Sequence, residues 1–437
     1  MNKLPLCLLA IGATACSGNA PSEEHTGRAR MPMEGAGTFE EVPSFGSNPG
    51  GLKMYLYTPS PQPAAGAPVV LAMHACTHDA ATYRYAGWDT IADQYGFYVV
   101  YPEQQAGNNA LKCFNWAGEY SDPTNLKRGE GENQSIKEMV DTMIATYGVD
   151  ATRVFAMGHS AGGAQTALLM ATWPDVFAAG GVIAGIPFHC TTQYAEVTTC
   201  LNPGKNLTPD QWGEFVRQAY VGYTGPYPRL SVWHGDADTL VNPLNQSELI
   251  EQWANVHGID TTPDATDAVG MHTHEQYHDG NGNTVIESYR IAGAAHGTFI
   301  DDEQGCGAEG AYFLDADICA AWNMATFFGI TDGTTTSGSG PGSTGAGGPN
   351  GSNGAGAGEA CVPGREVICA CPEGGESFKT CAADGSGYGA CDCGTAEETC
   401  GTGGCTAAPR PVNSRAWLLV ACMALAITAR RKRRPQN

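Results

Sequence analysis

Positive charge is scarce in this chain: its 437 residues include 23 Lys and Arg against 45 Asp and Glu, a formal net charge of −22. That balance excludes a protein whose main task is to neutralise nucleic-acid phosphates. Charge of either sign is thin, at 16% of residues, where about a quarter is usual. Apolar runs long enough for a permanent membrane span are not expected either. The run at 416–429 has 14 residues and at about 1.5 Å per residue reaches only about 21 Å, short of a ∼30 Å hydrocarbon core. A wholly disordered chain is excluded by what is present, namely 17 Tyr, 13 Phe, 8 Trp and 42% apolar residues. Glycine, at 58 residues, is about double its average usage. The 17 cysteines point away from a reducing cytosol.

The two ends read as addresses. Residues 1–16 have a basic start at Lys3, an apolar stretch over 4–11 and the small residues Ala13-Thr14-Ala15 of a cleavage site. A signal peptide and export are expected. Cys16 follows directly, so the segment also resembles a lipoprotein box in which Cys16 is the lipidation candidate. Residues 17–44 are expected to be an N-terminal linker. At the other end, 406–437 carry seven basic residues and no acid, five of them in the run Arg430-Arg431-Lys432-Arg433-Arg434. Cys405, a short apolar helix and a terminal basic cluster resemble the C-terminal sorting signals of myxobacterial-type surface proteins. An ordinary C-terminal anchor is the alternative. Secretion to the extracellular space or display at the outer cell surface is expected, with membrane contact only through a terminal anchor.

Residues 331–360 lose the aromatic and large aliphatic side chains and hold 11 glycines, the composition of a flexible linker. Eight cysteines then fall within 361–405 with almost no apolar residues between them. Such a module cannot be held by a core, and disulfides of unassigned connectivity are expected to staple it. Zinc is the weaker reading, because no His lies between 361 and 405.

The remaining residues, 45–330, alternate strand and helix patterns. Apolar runs at 69–73, 97–101, 154–157 and 230–233 read as strands. Ile136, Met139, Val140, Met143, Ile144 and Tyr147 form one helical face that ends at Gly148, a left-handed C-cap. This alternation predicts a mostly parallel, doubly wound α/β sheet, with functional residues on loops after the strands. Gly158-His159-Ser160-Ala161-Gly162 follows one strand and opens a helix, the arrangement that lifts a serine hydroxyl clear of the backbone. His234-Gly235-Asp236-Ala237-Asp238 follows another, and Gly293-Ala294-Ala295-His296-Gly297 a third. The order Ser, Asp, His is that of α/β-hydrolases. A serine hydroxyl needs a base to take its proton and an acid to hold that base in one tautomer. Ser160, His296 and Asp238 are the candidates. The His-Gly-x-x-Asp spacing favours Asp238 over Asp236. His74, His159 and His234 flank turns where structural histidines sit. His74-Ala75-Cys76-Thr77 is a loop that can offer backbone N–H groups to an oxyanion. His272, His274 and His278 alternate along an apparent strand and read as a solvated face rather than a metal site.

Further stretches carry a resemblance: Tyr101-Pro102-Glu103-Gln104, Cys113-Phe114-Asn115-Trp116, Gln211-Trp212, residues 220–225 and 233–243, Gln252-Trp253-Ala254-Asn255-Val256, Cys306-Gly307 and Tyr312-Phe313-Leu314-Asp315. Residues 50–330 resemble the esterase family of polyhydroxybutyrate depolymerases, acetylxylan esterases and feruloyl esterases, secreted α/β-hydrolases. The resemblance implies a serine esterase with Ser160 as nucleophile, His296 as base and Asp238 as orienting acid. It further implies an oxyanion hole from the N–H groups of Cys76 and Ala161, with Trp116 lining the acyl or sugar site. The family usually reads His-Gly-Cys where this chain has His74-Ala75-Cys76. If that position takes a positive φ, Ala75 costs about 1 kcal/mol or shifts the loop, and a lost oxyanion donor costs ∼10²–10³ in rate. Six cysteines fall in this domain, and the pairs Cys76–Cys113, Cys190–Cys200 and Cys306–Cys319 are expected, the first because both residues lie on loops that should meet at the site.

The expected reaction is acyl-enzyme ester hydrolysis by a monomer, with no metal or organic cofactor required. The expected partner is a polymeric ester, acetylated or feruloylated xylan before a polyhydroxyalkanoate, since 361–405 has few aromatics to adsorb to a polyester film. A non-catalytic surface-binding protein on a hydrolase scaffold is the alternative from another class.

Overall fold

The computed structural model describes residues 35–118, 123–331, 366–370, 376–380, 382, 389 and 390. The expected signal segment with Cys16, residues 17–34 of the expected linker 17–44, residues 332–360 of the linker 331–360, most of the cysteine-rich stretch and the C-terminal basic segment lie outside the described residues. The linker expected over 17–44 is corrected at its far end, where Thr38–Val42 is a strand that pairs with the main sheet.

The chain enters through β1 (Thr38–Val42), β2 (Lys53–Thr58) and β3 (Val69–Met73), then α1 (Ala80–Tyr83), α2 (Trp88–Tyr95) and β4 (Tyr98–Glu103). The central part is α3 (Gly131–Tyr147), β5 (Val154–His159), α4 (Ala161–Thr172), β6 (Ala179–Ile183), α5 (Val197–Leu201), α6 (Pro209–Ala219), β7 (Arg229–Gly235) and α7 (Leu244–His257). A meander of β8 (Ala265–Val269), β9 (His272–His278) and β10 (Thr284–Ile291) follows, then β11 (Thr298–Ile300), β12 (Phe313–Asp315) and α8 (Ala320–Phe327).

The strands that read as unbroken apolar runs are the ones buried on both faces, as parallel strands under helices must be. They form the centre of a ten-stranded sheet of order β1-β2-β4-β3-β5-β6-β7-β10-β9-β8. Strands β4, β3, β5, β6, β7 and β10 run parallel, and both flanks add antiparallel strands. Side chains alternate between the faces. Val70, Val99, Phe155, Met157 and Trp233 pack under α2 and α8 on one side, while Val69, Leu71, Val100, Val154 and Ala156 meet Ile136, Met139, Val140 and Met143 of α3 on the other. Gly148 closes α3 in the left-handed region at φ 66°. Helix α4 is buried along its whole length, which is why its sequence is apolar all round. The architecture is thus the expected doubly wound α/β fold around a mostly parallel sheet.

Separately, β13 (Glu366–Ala370) and β14 (Glu376–Thr380) form a two-stranded sheet in the cysteine-rich stretch. Among the described residues no helix is long and apolar enough to cross a membrane.

Candidate active site

Ser160 sits in the one-residue turn between β5 and α4, at φ 57° and ψ −116°. The strain is enforced by glycines that only glycine can fill. A Cβ on Gly158 would lie 2.3 Å from the carbonyl of Gly162, and one on Gly162 would lie 2.3 Å from the Met73 carbonyl oxygen. The small residues of the G-x-S-x-G motif therefore let β5 fold back against α4 and let α4 approach the end of β3. The Ser160 N–H donates to the Ile183 carbonyl at 2.9 Å, pinning the turn to the neighbouring strand. Ala161 opens α4, and the first N–H groups of a helix have no intrahelical acceptor.

Asp238 and His296 lie beyond the C-terminal ends of the adjacent strands β7 and β10, and His296 Nδ1 is 2.7 Å from Asp238 Oδ2. Both are buried. The other carboxylate oxygen of Asp238 accepts the N–H groups of Leu240 and Val241 at 2.8 and 2.9 Å. His234, expected only to flank a turn, has its Nε2 2.9 Å from the Val241 carbonyl and 3.3 Å from Asp238 Oδ2. Burial alone would raise the Asp238 pKa, but hydrogen bonds from His234 and His296 outweigh it and hold the carboxyl well below its ordinary range. Asp236, the competing carboxylate, caps the Gly293 N–H at 2.7 Å and is exposed.

The Cys76 loop is braced from behind. His74, fully buried, places Nδ1 2.7 Å from the Ala75 carbonyl and accepts the Gln104 N–H on Nε2 at 3.1 Å. These partners select the neutral Nδ1–H tautomer, and burial lowers its pKa to about 4. The Gln104 amide donates to the Cys113 carbonyl at 3.2 Å and to Glu132 Oε1 at 2.6 Å. Glu132 also accepts the Asn115 N–H at 2.8 Å and the Asn115 side-chain amide. Among the described residues no cation joins the cluster, and burial raises the Glu132 pKa to about 7. A disulfide joins Cys76 to Cys113, with further bridges at Cys190–Cys200 and Cys306–Cys319. Trp116 is buried with Ala161, Ala164, Ile186 and Val241, and Cys76 and Cys113 pack against the same cluster.

The concern over Ala75 is answered here. The positive φ in this loop falls at Thr77, at 67°, and Ala75 is not among the left-handed residues. Its methyl group therefore carries no such strain. A second expectation is corrected by β9. His272 and His274 do share a face, but that face is buried rather than solvated. His272 Nε2 reaches the Ala316 carbonyl at 2.7 Å, whereas His274 is 2.8 Å from Asp267 and stacks on Tyr289. They are engaged separately.

Sequence reasoning passed over three contributors. His234, four residues before Asp238, had its spacing as a signal; Tyr312 lay in a stretch that resembles the family but carried no role there, and Glu132 had no signal. The ring of Tyr312 lies edge-on to His296 with centroids 6.0 Å apart.

The family model described as Esterase PHB depolymerase matches residues 52–276. The chain belongs to that family. A Poly(3-hydroxyalkanoate) depolymerase C from Paucimonas lemoignei is 47% identical over 293 residues, covering 66% of this chain and 70% of that protein. Feruloyl esterase B from Talaromyces funiculosus is 32% identical over 313 residues, covering 70% of this chain and 80% of the other. Among solved structures, an acetyl xylan esterase from Aspergillus awamori superposes with a TM-score of 0.56 at 28% identity, covering 67% of this chain and 100% of that chain. As a member of the esterase PHB depolymerase family, the protein is a carboxylic ester hydrolase.

Proposed function

We propose that this hydrolase is an exported serine esterase that cleaves the ester bonds of a polymer through Ser160, His296 and Asp238. The observation that carries the mechanism is the 2.7 Å contact between His296 Nδ1 and Asp238 Oδ2, made by two loops at the end of the sheet where Ser160 is presented. With Nδ1 engaged, the other ring nitrogen is the one available as base. Ser160 Oγ attacks the carbonyl carbon as His296 takes its proton. The backbone N–H groups of Cys76 and Ala161 receive the oxyanion. The alcohol leaves with the proton from His296, and water, deprotonated by the same imidazole, releases the acid. Trp116 borders the acyl side.

Ser160→Ala in the purified protein should lower p-nitrophenyl acetate turnover by at least ~10³-fold. A variant that keeps most of its activity would overturn the assignment.

A polyhydroxyalkanoate is the first substrate reading, supported by the 47% identity to a poly(3-hydroxyalkanoate) depolymerase. That reverses the order favoured from sequence alone. Esterified xylan is the second, supported by the likeness to a solved acetyl xylan esterase. Rates on poly(3-hydroxybutyrate) film, acetylxylan and methyl ferulate separate the two.

A further inference from the structure

Tyr312 is an unusual residue at an unusual place. It adopts φ 65°, a left-handed conformation that glycine takes freely and that a side chain with a Cβ pays for. Non-glycine residues held there cluster at functional sites, where the surroundings over-determine them. Here the surroundings are specific. The Tyr312 carbonyl accepts the Thr298 N–H at 2.8 Å, two residues after His296. The next residue, Phe313, begins the short strand β12, which pairs in parallel with β11 and puts Phe313 opposite Thr298. The loop that carries Tyr312 is closed by the Cys306–Cys319 disulfide. A glycine would satisfy the backbone at 312 at lower cost, so the ring has to account for the tyrosine.

That ring reaches three imidazoles. Its centroid lies 6.0 Å from His296 at an interplanar angle of 79°, 6.5 Å from His159 and 5.9 Å from His78. His159 in turn lies 4.7 Å from His296, tilted by 40°. Among the described residues neither ring nitrogen of the fully buried His159 has a hydrogen-bond partner, so it offers His296 a neutral ring rather than a polar contact. A single hydrogen bond from Nδ1 to Asp238 fixes one point of the His296 imidazole and leaves it free to swing about that line. Two rings, one tilted against it and one edge-on, remove that freedom.

We infer that Tyr312 is a positioning residue, whose ring, with that of His159, sets the tilt of His296 so that its free nitrogen faces Ser160. The inference rests on the proposed roles of Ser160 and His296. A role in positioning acts on every ester alike, because it acts through the base.

The test compares Tyr312→Gly, Tyr312→Phe and Ser160→Ala by kcat, KM and thermal midpoint on p-nitrophenyl acetate and on methyl ferulate. Tyr312→Gly relieves the backbone, so its midpoint should match or exceed the parent's while kcat falls about tenfold on both esters and KM stays within about twofold. Tyr312→Phe keeps the ring and should retain kcat within about twofold. The role is overturned if Tyr312→Gly keeps full kcat, if kcat and stability fall together, or if only one of the two esters is affected. If Tyr312→Gly stays active while Ser160→Ala is dead, only the role of Tyr312 fails. If Ser160→Ala stays active, the underlying assignment of the site fails.

Discussion

The turn that presents Ser160 and the loops that present its partners solve the same problem in opposite ways. Between β5 and α4 the geometry is local: three small residues within five positions let a strand reverse into a helix, and replacing either glycine drives a methyl group into backbone. On the side of the proposed acid and base the contacts that join the groups are long-range. Asp238 and His296 meet across 58 residues, His234 contacts Asp238, and Tyr312 reaches back from a loop closed by a disulfide. Strain is thus written into the Ser160 turn by sterics, whereas the proposed base, His296, is held by long-range packing. The first kind of construction should fail abruptly when altered, and the second by degrees.

The largest effect expected on the long-range side is that of Asp238→Asn. The amide still accepts from Leu240 and Val241 but no longer holds the base in its tautomer, so kcat should drop about 10⁴-fold with the fold retained. Steady-state rates and circular dichroism check this, and a loss below tenfold would argue against the orienting role. On the local side, Gly162→Ala places its methyl 2.3 and 2.7 Å from the carbonyl oxygens of Met73 and His74. A destabilisation of about 3 kcal/mol is expected in urea unfolding. A near-neutral result would show that the elbow gives way as easily as the base loops.

An intermediate effect concerns the brace behind the Cys76 loop, where two buried groups pull the pH dependence in opposite directions. His74 has its pKa lowered from 6.5 to about 4, so the unfolded chain binds its proton more readily. Its contribution, about 3 kcal/mol, is complete above pH 6.5 and is lost as pH falls towards 4. Glu132 has its pKa raised from 4.5 to about 7, so its contribution is complete below pH 4.5 and is lost as pH rises through 7. Between these limits the slopes offset each other. Glu132→Gln removes one of them, and its stability should therefore fall more steeply than the parent's between pH 6.5 and 4.5. Equal slopes in denaturant melts across that range would reject the pairing. The smallest change expected is from Ala75→Gly: with no positive φ to relieve, kcat should stay within about twofold and stability should fall by about 0.4–1 kcal/mol from added unfolded-chain entropy.

What could be read from the sequence follows the same division. The buried strands announced themselves as apolar runs, α3 by its periodicity, and Ser160 by the glycines its turn requires. The candidate pairing of Asp238 with His296 was legible through strand-end position and chain order. The two histidines of β9 were misread because alternation along a strand says which residues share a face but not whether that face is covered. The partner that decides it for His272 is a carbonyl 44 positions away. Glu132 offered no cue, since a glutamate near a helix start reads as a solvated cap. Tyr312 stood in a family-like stretch, but its conformation was hidden, because a left-handed φ at a tyrosine has no signature in composition or spacing.

The flanks of the sheet carry one more consequence. Among the described residues the ten-stranded sheet does not close and ends in two rows of peptide groups without a further strand, along β1 and β8. Each is a template on which another chain can build. Glu40 and Glu41 stand exposed on β1, and Asp267 on β8. Two copies meeting along these edges would bring acidic side chains near one another, although Lys53 pairs with Glu41 at 3.2 Å and His274 lies 2.8 Å from Asp267. With few cations in the chain to offset them, these edge acids disfavour the stacking of one copy on another.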